Sequence, residues 1–282
     1  MKKNLKRKID LLVLSDIHLG TYGCHAEELI KYLQSIKPKT IVLNGDIIDG
    51  WNFSKNYFPP SHLQVISELM NFLAQGTKII YLPGNHDEFA RKFAGRKMGN
   101  LIIDNKAVLN LNNKKVWIFH GDVFDISMKQ SKWLAKIGGV GYDWLILTNR
   151  LINKTLQKLG KERVSLSKRI KDSVKTAVNF ISDFEDTAIN LAIQQNYDVV
   201  ICGHIHQPCD KYIEKQEGKI RYLNSGDWIE NLTSLEYNDG EWTLYQYQKD
   251  QALHQQQLVL EKLPFLKNKE IFFNLTQEFQ LQ

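Results

Sequence analysis

Short apolar runs alternate with amphipathic stretches along the first half of the chain. IDLLVL (9–14), KTIVLNGD (39–46), TKIIYLPGN (77–85), KKVWIFHGD (114–122) and YDVVICGHIH (197–206) each stay apolar for a few positions and then turn polar. That is the pattern of strands buried on both faces. Between the first three lie EELIKYLQSI (27–36) and HLQVISELMNFLAQG (62–76), with apolar residues at helical spacing. The second ends at a glycine suited to a helix C-terminus. Strand-helix-strand alternation predicts an α/β layered domain. Beyond residue 210 the runs become short, aromatic and β-branched: DKYIEK, KIRYLNSGDW and LTSLEYNDGEWTLYQYQ, with NDG marking a hairpin turn. They predict a second, more antiparallel sheet. The architecture expected is a four-layer sandwich of two mixed β-sheets flanked by helices.

The interval 127–195 breaks the alternation. Trp133, Leu134, Ile137, Trp144, Leu145, Leu151, Ile152, Leu156 and Leu159 recur at roughly helical spacing, and GGVG (138–141) divides two helices. A third helix is predicted over about 166–195. This reads as a helical insertion, a lid between two core strands. The organisation expected is therefore one domain over 1–250 carrying the lid, with residues 251–282 as a peripheral tail.

Charge adds a second asymmetry. The chain of 282 residues carries a net charge of +6. Residues 129–175 hold twelve Lys/Arg against Asp143, Glu162 and Asp172, and the first eight residues add five more cations, so the rest is acidic. The opening MKKNLKRK looks like the charged start of a leader, but the LLVL that follows is too short and is bracketed by Asp10 and Asp16. Cys24, Cys202 and Cys209 have no paired spacing, which suits reduced thiols. The expectation is a soluble cytoplasmic protein.

Each buried run ends in residues that can bind metal. SDIHLG supplies Asp16 and His18; NGDIIDG supplies Asp46 and Asp49; GNHDE supplies Asn85, His86, Asp87 and Glu88. FHGD supplies His120, and CGHIH supplies His204 and His206. The carboxyl ends of strands gather at one edge of a layered α/β fold, so residues distant in sequence converge there. Any one of these groups alone reads as a turn or a cap. Five at the ends of five apolar runs read as a site. Asp16, His18, Asp46, Asn85, His120, His204 and His206 make seven candidate ligands, enough for two divalent ions sharing one carboxylate. Such a bridge holds ions about 3.5–4 Å apart. The mixed His, Asp and Asn set suits Mn(II) first, with Fe or Zn as alternatives.

DIH, GDIID, GNHDE, FHGD and GHIH, in this order over about residues 10–230, resemble the motifs of the calcineurin-like metallophosphoesterases. The resemblance implies two sheets packed between helices, with Asp16, His18, Asp46 and His206 on one metal. Asp46, Asn85, His120 and His204 would hold the second. His86 would be no ligand but would face the phosphate as the catalytic residue, stabilising or protonating the leaving oxygen. The implied reaction is hydrolysis of a phosphate ester or diphosphate by in-line attack of water activated by the metals.

Within that superfamily the chain is most similar to the UDP-2,3-diacylglucosamine diphosphatase group of lipid A synthesis. The shared features are GDIIDGW, HGDVFD, the helical insertion before GHIH, and the late NSGDW. Many of that group carry Arg where this chain has His86. The implied substrate is an anionic sugar-nucleotide lipid diphosphate. Asp49, Trp51 and Asp87 are expected to contact it or to orient their neighbours. In the lid, Trp133 and Trp144 would receive acyl chains while Lys129, Lys132 and Lys136 face diphosphate or headgroups. Helices with cations on one face and Trp, Leu and Ile on another also suit an anionic membrane surface, which implies a peripheral position at the inner membrane. A phosphodiesterase or nuclease would use the same metals. A nucleic-acid partner is disfavoured because the basic segment is rich in Trp, Leu and Ile and holds no recognisable nucleic-acid module.

Overall fold

The computed structural model describes residues 6–50, 57–126 and 167–254 of the chain. The chain divides into two units, 1–245 and 246–282. In the first, strands β1 (Arg7–Leu14), β2 (Ile36–Asn44) and β3 (Lys78–Leu82) alternate with helices α1 (Ala26–Ser35) and α2 (Pro60–Ala74). Three short strands follow, β4 (Arg96–Met98), β5 (Leu101–Ile103) and β6 (Ala107–Leu111), then β7 (Lys114–Ile118). Helix α3 (Ser167–Gln194) leads to β8 (Val199–Cys202), β9 (Cys209–Lys215), β10 (Gly218–Asn224), β11 (Thr233–Asn238) and β12 (Glu241–Gln246).

The strands form two mixed sheets. The first runs β12-β11-β1-β2-β3-β5-β4 and the second β6-β7-β8-β10-β9. β1, β2, β3 and β5 are parallel, as are β7, β8 and β10. Alternate side chains of one strand serve opposite faces. In β8, Val199 and Ile201 join Leu11, Val13, Val42, Ile80 and Leu235 in the core between the sheets. Val200 and Cys202 of the same strand face α3, where they meet Phe184, Ala188, Ile189 and Ala192. Helices α1 and α2 pack on each other and against β2 and β3. The layers expected from the apolar pattern are therefore present.

One expectation is corrected. The strands after residue 210 do not make up the second sheet by themselves. β9 and β10 join it beside β7 and β8, while β11 pairs antiparallel with β1 and carries β12 into the first sheet. The NDG hairpin forms as read, with Asp239 and Gly240 both at positive φ (51° and 92°), the geometry of a type I′ turn. Strands β4, β5 and β6 had no counterpart in the sequence reading, because runs of three to five residues with mixed polarity carry too little periodicity. The two lid helices predicted around GGVG, together with Trp51, Lys129, Lys132, Trp133, Lys136 and Trp144, lie outside the described residues. The third predicted helix is α3. No helix of the described residues is long and apolar enough to cross a membrane.

Phe184 anchors α3 where the second sheet approaches the loop after β7. It is fully buried, and a Cβ on Gly121 would lie 2.5 Å from its ring. Phe184→Ala is expected to lower unfolding free energy by about 3–5 kcal/mol, read as a fall in the urea midpoint at unchanged slope. A loss below about 1 kcal/mol would show that α3 is not held through this residue.

Candidate metal centre

The parallel strands deliver five loops to one edge of the sandwich. Residues 15–20 follow β1, 45–50 follow β2, 83–87 follow β3, 119–122 follow β7 and 203–208 follow β8. Backbone hydrogen bonds lace them together. Asp16 N–H donates to Gly45 O at 3.0 Å, His18 N–H to Asp46 O at 2.9 Å, Gly50 N–H to His86 O at 2.9 Å and Gly203 N–H to His120 O at 3.0 Å. Loops of different strands therefore fix one another's conformation.

That conformation is costly. Asp16, His18, Asp46, His204 and His206 all lie at positive φ, between 51° and 68°. Each such residue with a Cβ costs about 1–2 kcal/mol relative to ordinary backbone. Strain of this kind persists only where its surroundings over-determine it, and it clusters at functional sites. Two glycines make room beneath. Gly45 is at φ 82°, and a Cβ there would stand 2.2 Å from His120 Nδ1. A Cβ on Gly84 would stand 2.3 Å from Asp46 Oδ1 and 2.7 Å from His120 Nε2.

The side chains so placed form a buried polar cluster. Asp16 Oδ1 lies 3.2 Å from His206 Nε2, and Asp16 Oδ2 accepts from the His204 N–H at 3.1 Å. Asp46 Oδ2 lies 3.2 Å from His120 Nε2 and 3.9 Å from His18 Nε2. Its Oδ1 accepts from the His86 N–H at 2.8 Å. His120 Nδ1 lies 2.8 Å from Asn44 O. A carbonyl only accepts, so Nδ1 carries the proton and Nε2 turns toward the cluster, the arrangement usual for a metal-binding histidine.

Charge is balanced within the cluster. Burial works against ionising Asp16 and Asp46, yet the neighbouring histidines hold both carboxyls below the ordinary range, His206 acting most on Asp16 and His120 on Asp46. Burial works against protonating His120 too, and Asp46 and Asp16 override it, raising its pKa to about 10. His206 is raised to about 9 against the same opposition, chiefly by Asp16. His86 is raised as well, burial again opposing and Asp49 and Asp46 prevailing. A divalent ion bound between the two carboxylates would displace these protons from the histidines and take over their charge.

The donor set fits divalent metal. Asp16 Oδ1, His18 Nε2, Asn85 Oδ1 and His120 Nε2 are buried and make no well-oriented hydrogen bond among the described residues; the 3.2 Å approaches of His206 to Asp16 and of Asp46 to His120 are ion-pair contacts. Unmade hydrogen bonds of this kind cost about 1–3 kcal/mol each, and a polar atom that stays buried without one needs another function. Candidate ligand atoms within 4.8 Å of one another group as Asp16–His18–His206, Asp46–His120–His204 and His18–Asp46–His86. The third group contains His86. Its Nδ1 lies 3.2 Å from Asp49 Oδ1, so the carboxylate holds one edge of this ring.

Asp49 is buried and also stands 3.7 Å from His18 Nδ1, between the two imidazoles. Asp87 is fully buried and turned away from the cluster. It accepts from the N–H groups of Asp46 (3.3 Å), Ile47 (2.9 Å) and Gly84 (2.6 Å), and from the Tyr81 hydroxyl (2.5 Å). These four hydrogen bonds suit the orienting role expected for Asp87. Glu88 is solvent-exposed at the start of a 3-10 helix, Glu88–Phe93, rather than behind the ligands.

A sixth loop, 225–231 after β10, was quoted in the sequence as NSGDW without a role. Trp228 N–H donates to Asp16 O at 3.1 Å, and Ser15 and Ser225 share a 2.7 Å hydroxyl contact. The buried Asp227 gathers the N–H groups of Ile229, Glu230 and Asn231, and Asn231 Nδ2 donates to His206 O at 3.0 Å. This loop braces both ends of the Asp16–His206 contact. Its signal was an Asx-turn spacing at a strand end. His62 of α2 was also missed; its Nδ1 accepts from Gly20 N–H at 2.9 Å and steadies the loop after His18.

The profile of the calcineurin-like phosphoesterases matches residues 9–208. Among curated relatives, UDP-2,3-diacylglucosamine hydrolase of Aliivibrio fischeri (strain MJ11) is 24% identical over 240 residues, covering 83% of this chain and 97% of the relative. The protein of the same name from Wigglesworthia glossinidia brevipalpis is 24% identical, covering 80% of this chain and 90% of its own. That of Coxiella burnetii (strain RSA 331 / Henzerling II) is 24% identical, covering 85% and 98%.

Gly84→Ala is expected to leave the chain folded but to push Asp46 and His120 apart, lowering bound divalent metal per chain at least tenfold by elemental analysis after dialysis. Full metal content would show that the close approach at Gly84 does not matter. Asp87→Asn removes one charged acceptor from four donors and is expected to cost about 1–3 kcal/mol of stability, visible as a lower denaturant midpoint.

Proposed function

The chain belongs to the calcineurin-like phosphoesterase family and is a metal-dependent hydrolase, and from that premise we propose a dinuclear phosphohydrolase whose substrate is a sugar-nucleotide lipid diphosphate of the UDP-2,3-diacylglucosamine kind. The observation that carries the metal assignment is the meeting, from three separate loops, of buried ligand atoms that make no hydrogen bond among the described residues. Asp16, His18, Asp46 and His206 would hold one ion; Asp46, Asn85, His120 and His204 the other, with Asp46 shared. The ions proposed are Mn(II), with Fe or Zn as substitutes in a site of nitrogen and oxygen donors. When bound, two such ions supply Lewis acidity, offsetting negative charge on phosphoryl oxygens and lowering the pKa of water.

The chain's own groups do the rest. Asp49 holds His86 by Nδ1, which fixes the ring plane and leaves Nε2 to face the leaving oxygen and give it a proton. Asp87 keeps the loops after β2 and β3 in register, so that Asn85 and His86 stand at the edge of the cluster. The buried walls exclude bulk water and strengthen these electrostatic contacts.

The names and the near-complete coverage of the relatives support the choice of substrate. Lys129, Lys132 and Lys136 would meet the diphosphate or headgroup, Trp133 and Trp144 the acyl chains, and Trp51 and Asp49 the polar part of the substrate. The protein would work in the cytoplasm, peripheral to the inner membrane.

With Mn(II), the purified chain is expected to hydrolyse bis(p-nitrophenyl) phosphate, and Asp46→Ala to abolish that activity; survival of the activity would overturn the shared-ligand assignment. His86→Gln is expected to retain metal while kcat falls about 10²–10⁴-fold. On UDP-2,3-diacylglucosamine the products are expected to be UMP and the lipid monophosphate. Turnover of the aryl ester without release of UMP would leave the metal site standing and reject this substrate.

A further inference from the structure

Immediately past the metal centre the surface changes character. Residues 89–103, FARKFAGRKMGNLII, contain four Lys/Arg and no acidic residue. They span most of the 3-10 helix Glu88–Phe93 and the edge hairpin of β4 and β5. Phe89, Phe93 and Met98 are 50%, 46% and 56% exposed, a large apolar area to leave in water. Lys92, Arg96 and Lys97 are exposed among them.

Their geometry separates anchoring from display. Arg91 is committed inward, donating to both Asp122 carboxylate oxygens at 2.9 and 2.7 Å, which ties the 3-10 helix to the loop that carries His120. Gly95 N–H donates to Ile103 O at 2.8 Å and closes the turn into the hairpin. Phe89 leans on the backbone beside Asp49, since a Cβ on Gly50 would lie 3.4 Å from its ring. The remaining cations have no comparable partner among the described residues: Lys92 Nζ sits 5.0 Å from the Phe93 ring centroid, over its own neighbour. The result is a firmly mounted face that presents apolar tips ringed by cations, on the rim of the candidate active site.

We propose that this face, Phe89–Met98, docks on an anionic phospholipid surface, with Phe89, Phe93 and Met98 entering the headgroup boundary, Lys92 and Arg96 meeting lipid phosphates, and Lys97, on the other side of the edge strand, adding its charge to the attraction. Aromatic and thioether tips among cations match a bilayer interface, where apolar groups enter the acyl boundary and long basic chains reach up to headgroups. Phe89 and Phe93 are of a kind that also stacks bases, but the aliphatic Met98, Leu101 and Ile102 beside them suit an acyl boundary rather than a stack, so single-stranded DNA is the competing outcome of the test. Nothing in this surface depends on which phosphate the site cleaves. Docking here would bring the loop of His86 close to the membrane plane.

The test is sedimentation of the full chain with vesicles of phosphatidylcholine containing roughly a third phosphatidylglycerol, against pure phosphatidylcholine. Each cation near an anionic surface contributes a factor of about five, so Arg96→Gln with Lys97→Gln is expected to weaken partition about 25-fold. Phe93→Ser with Met98→Ser, both on exposed side chains, is expected to weaken binding at low and high salt alike while leaving hydrolysis of bis(p-nitrophenyl) phosphate unchanged. Partition of both variants within about twofold of the natural chain would overturn the proposal. So would single-stranded DNA binding that collapses in the Gln variant while vesicle binding does not.

Discussion

Asp16 and Asp46 place two carboxylates in the dry edge of the sandwich, 0% and 2% exposed, and much of the surrounding architecture follows from keeping them ionised. A buried charge is tolerated only when paired and hydrogen-bonded. Each therefore draws on loops from elsewhere. Asp16, on the first sheet, takes a backbone donor from His204 and the ring of His206, both on the second. Asp46 takes the His86 N–H and the ring of His120. The two sheets are locked at this edge by charge as well as by the apolar core between them. Breaking either carboxylate would loosen the junction and the site at once.

The same demand explains why the backbone is strained here. A carboxylate that must accept from a neighbouring loop and also turn inward cannot sit on regular strand geometry. Asp16, Asp46, His204 and His206 leave the strand ends through the left-handed region. The glycines at 45 and 84 let side chains pass where a Cβ would collide. Asp87 then fixes the result: one carboxylate gathers donors from the loops after β2 and β3 and from Tyr81. The strain is held by these hydrogen bonds rather than by the strands.

The chain's own letters gave away the strand ends and the candidate ligands that gather there because both follow from local chemistry. An apolar run that stops at Asp, His or Asn reads the same in sequence and in space. Sheet partnership is a different matter. β11 and β10 look alike as apolar runs, yet one pairs with β1 and the other with β8; nothing in a run states which neighbour it will meet. Likewise Asp87 stands among metal-competent residues, and its burial behind them depends on where the 3-10 helix Glu88–Phe93 turns. The contacts of Asn231 with His206 and of His62 with Gly20 were hidden for the same reason: they join positions 20 or more residues apart through single hydrogen bonds.

LPGNHDEF therefore does more than end a strand. Between Leu82 and Phe89 the chain abandons extended backbone, makes a turn through Pro83 and Gly84, and enters a 3-10 helix. The bend and turn at 85–87 and the 3-10 helix after them point consecutive side chains in different directions. Asn85 and His86 face the cluster, Asp87 faces back into the loops, and Glu88 and Phe89 face solvent. An imidazole at 86 is short enough to be held edge-on by Asp49, which lies 3.2 Å away. A longer cationic side chain there could not use that carboxylate in the same way without bending back on itself. His86 and Asp49 thus form one contact pair, set by the turn before His86 and by the helix after it.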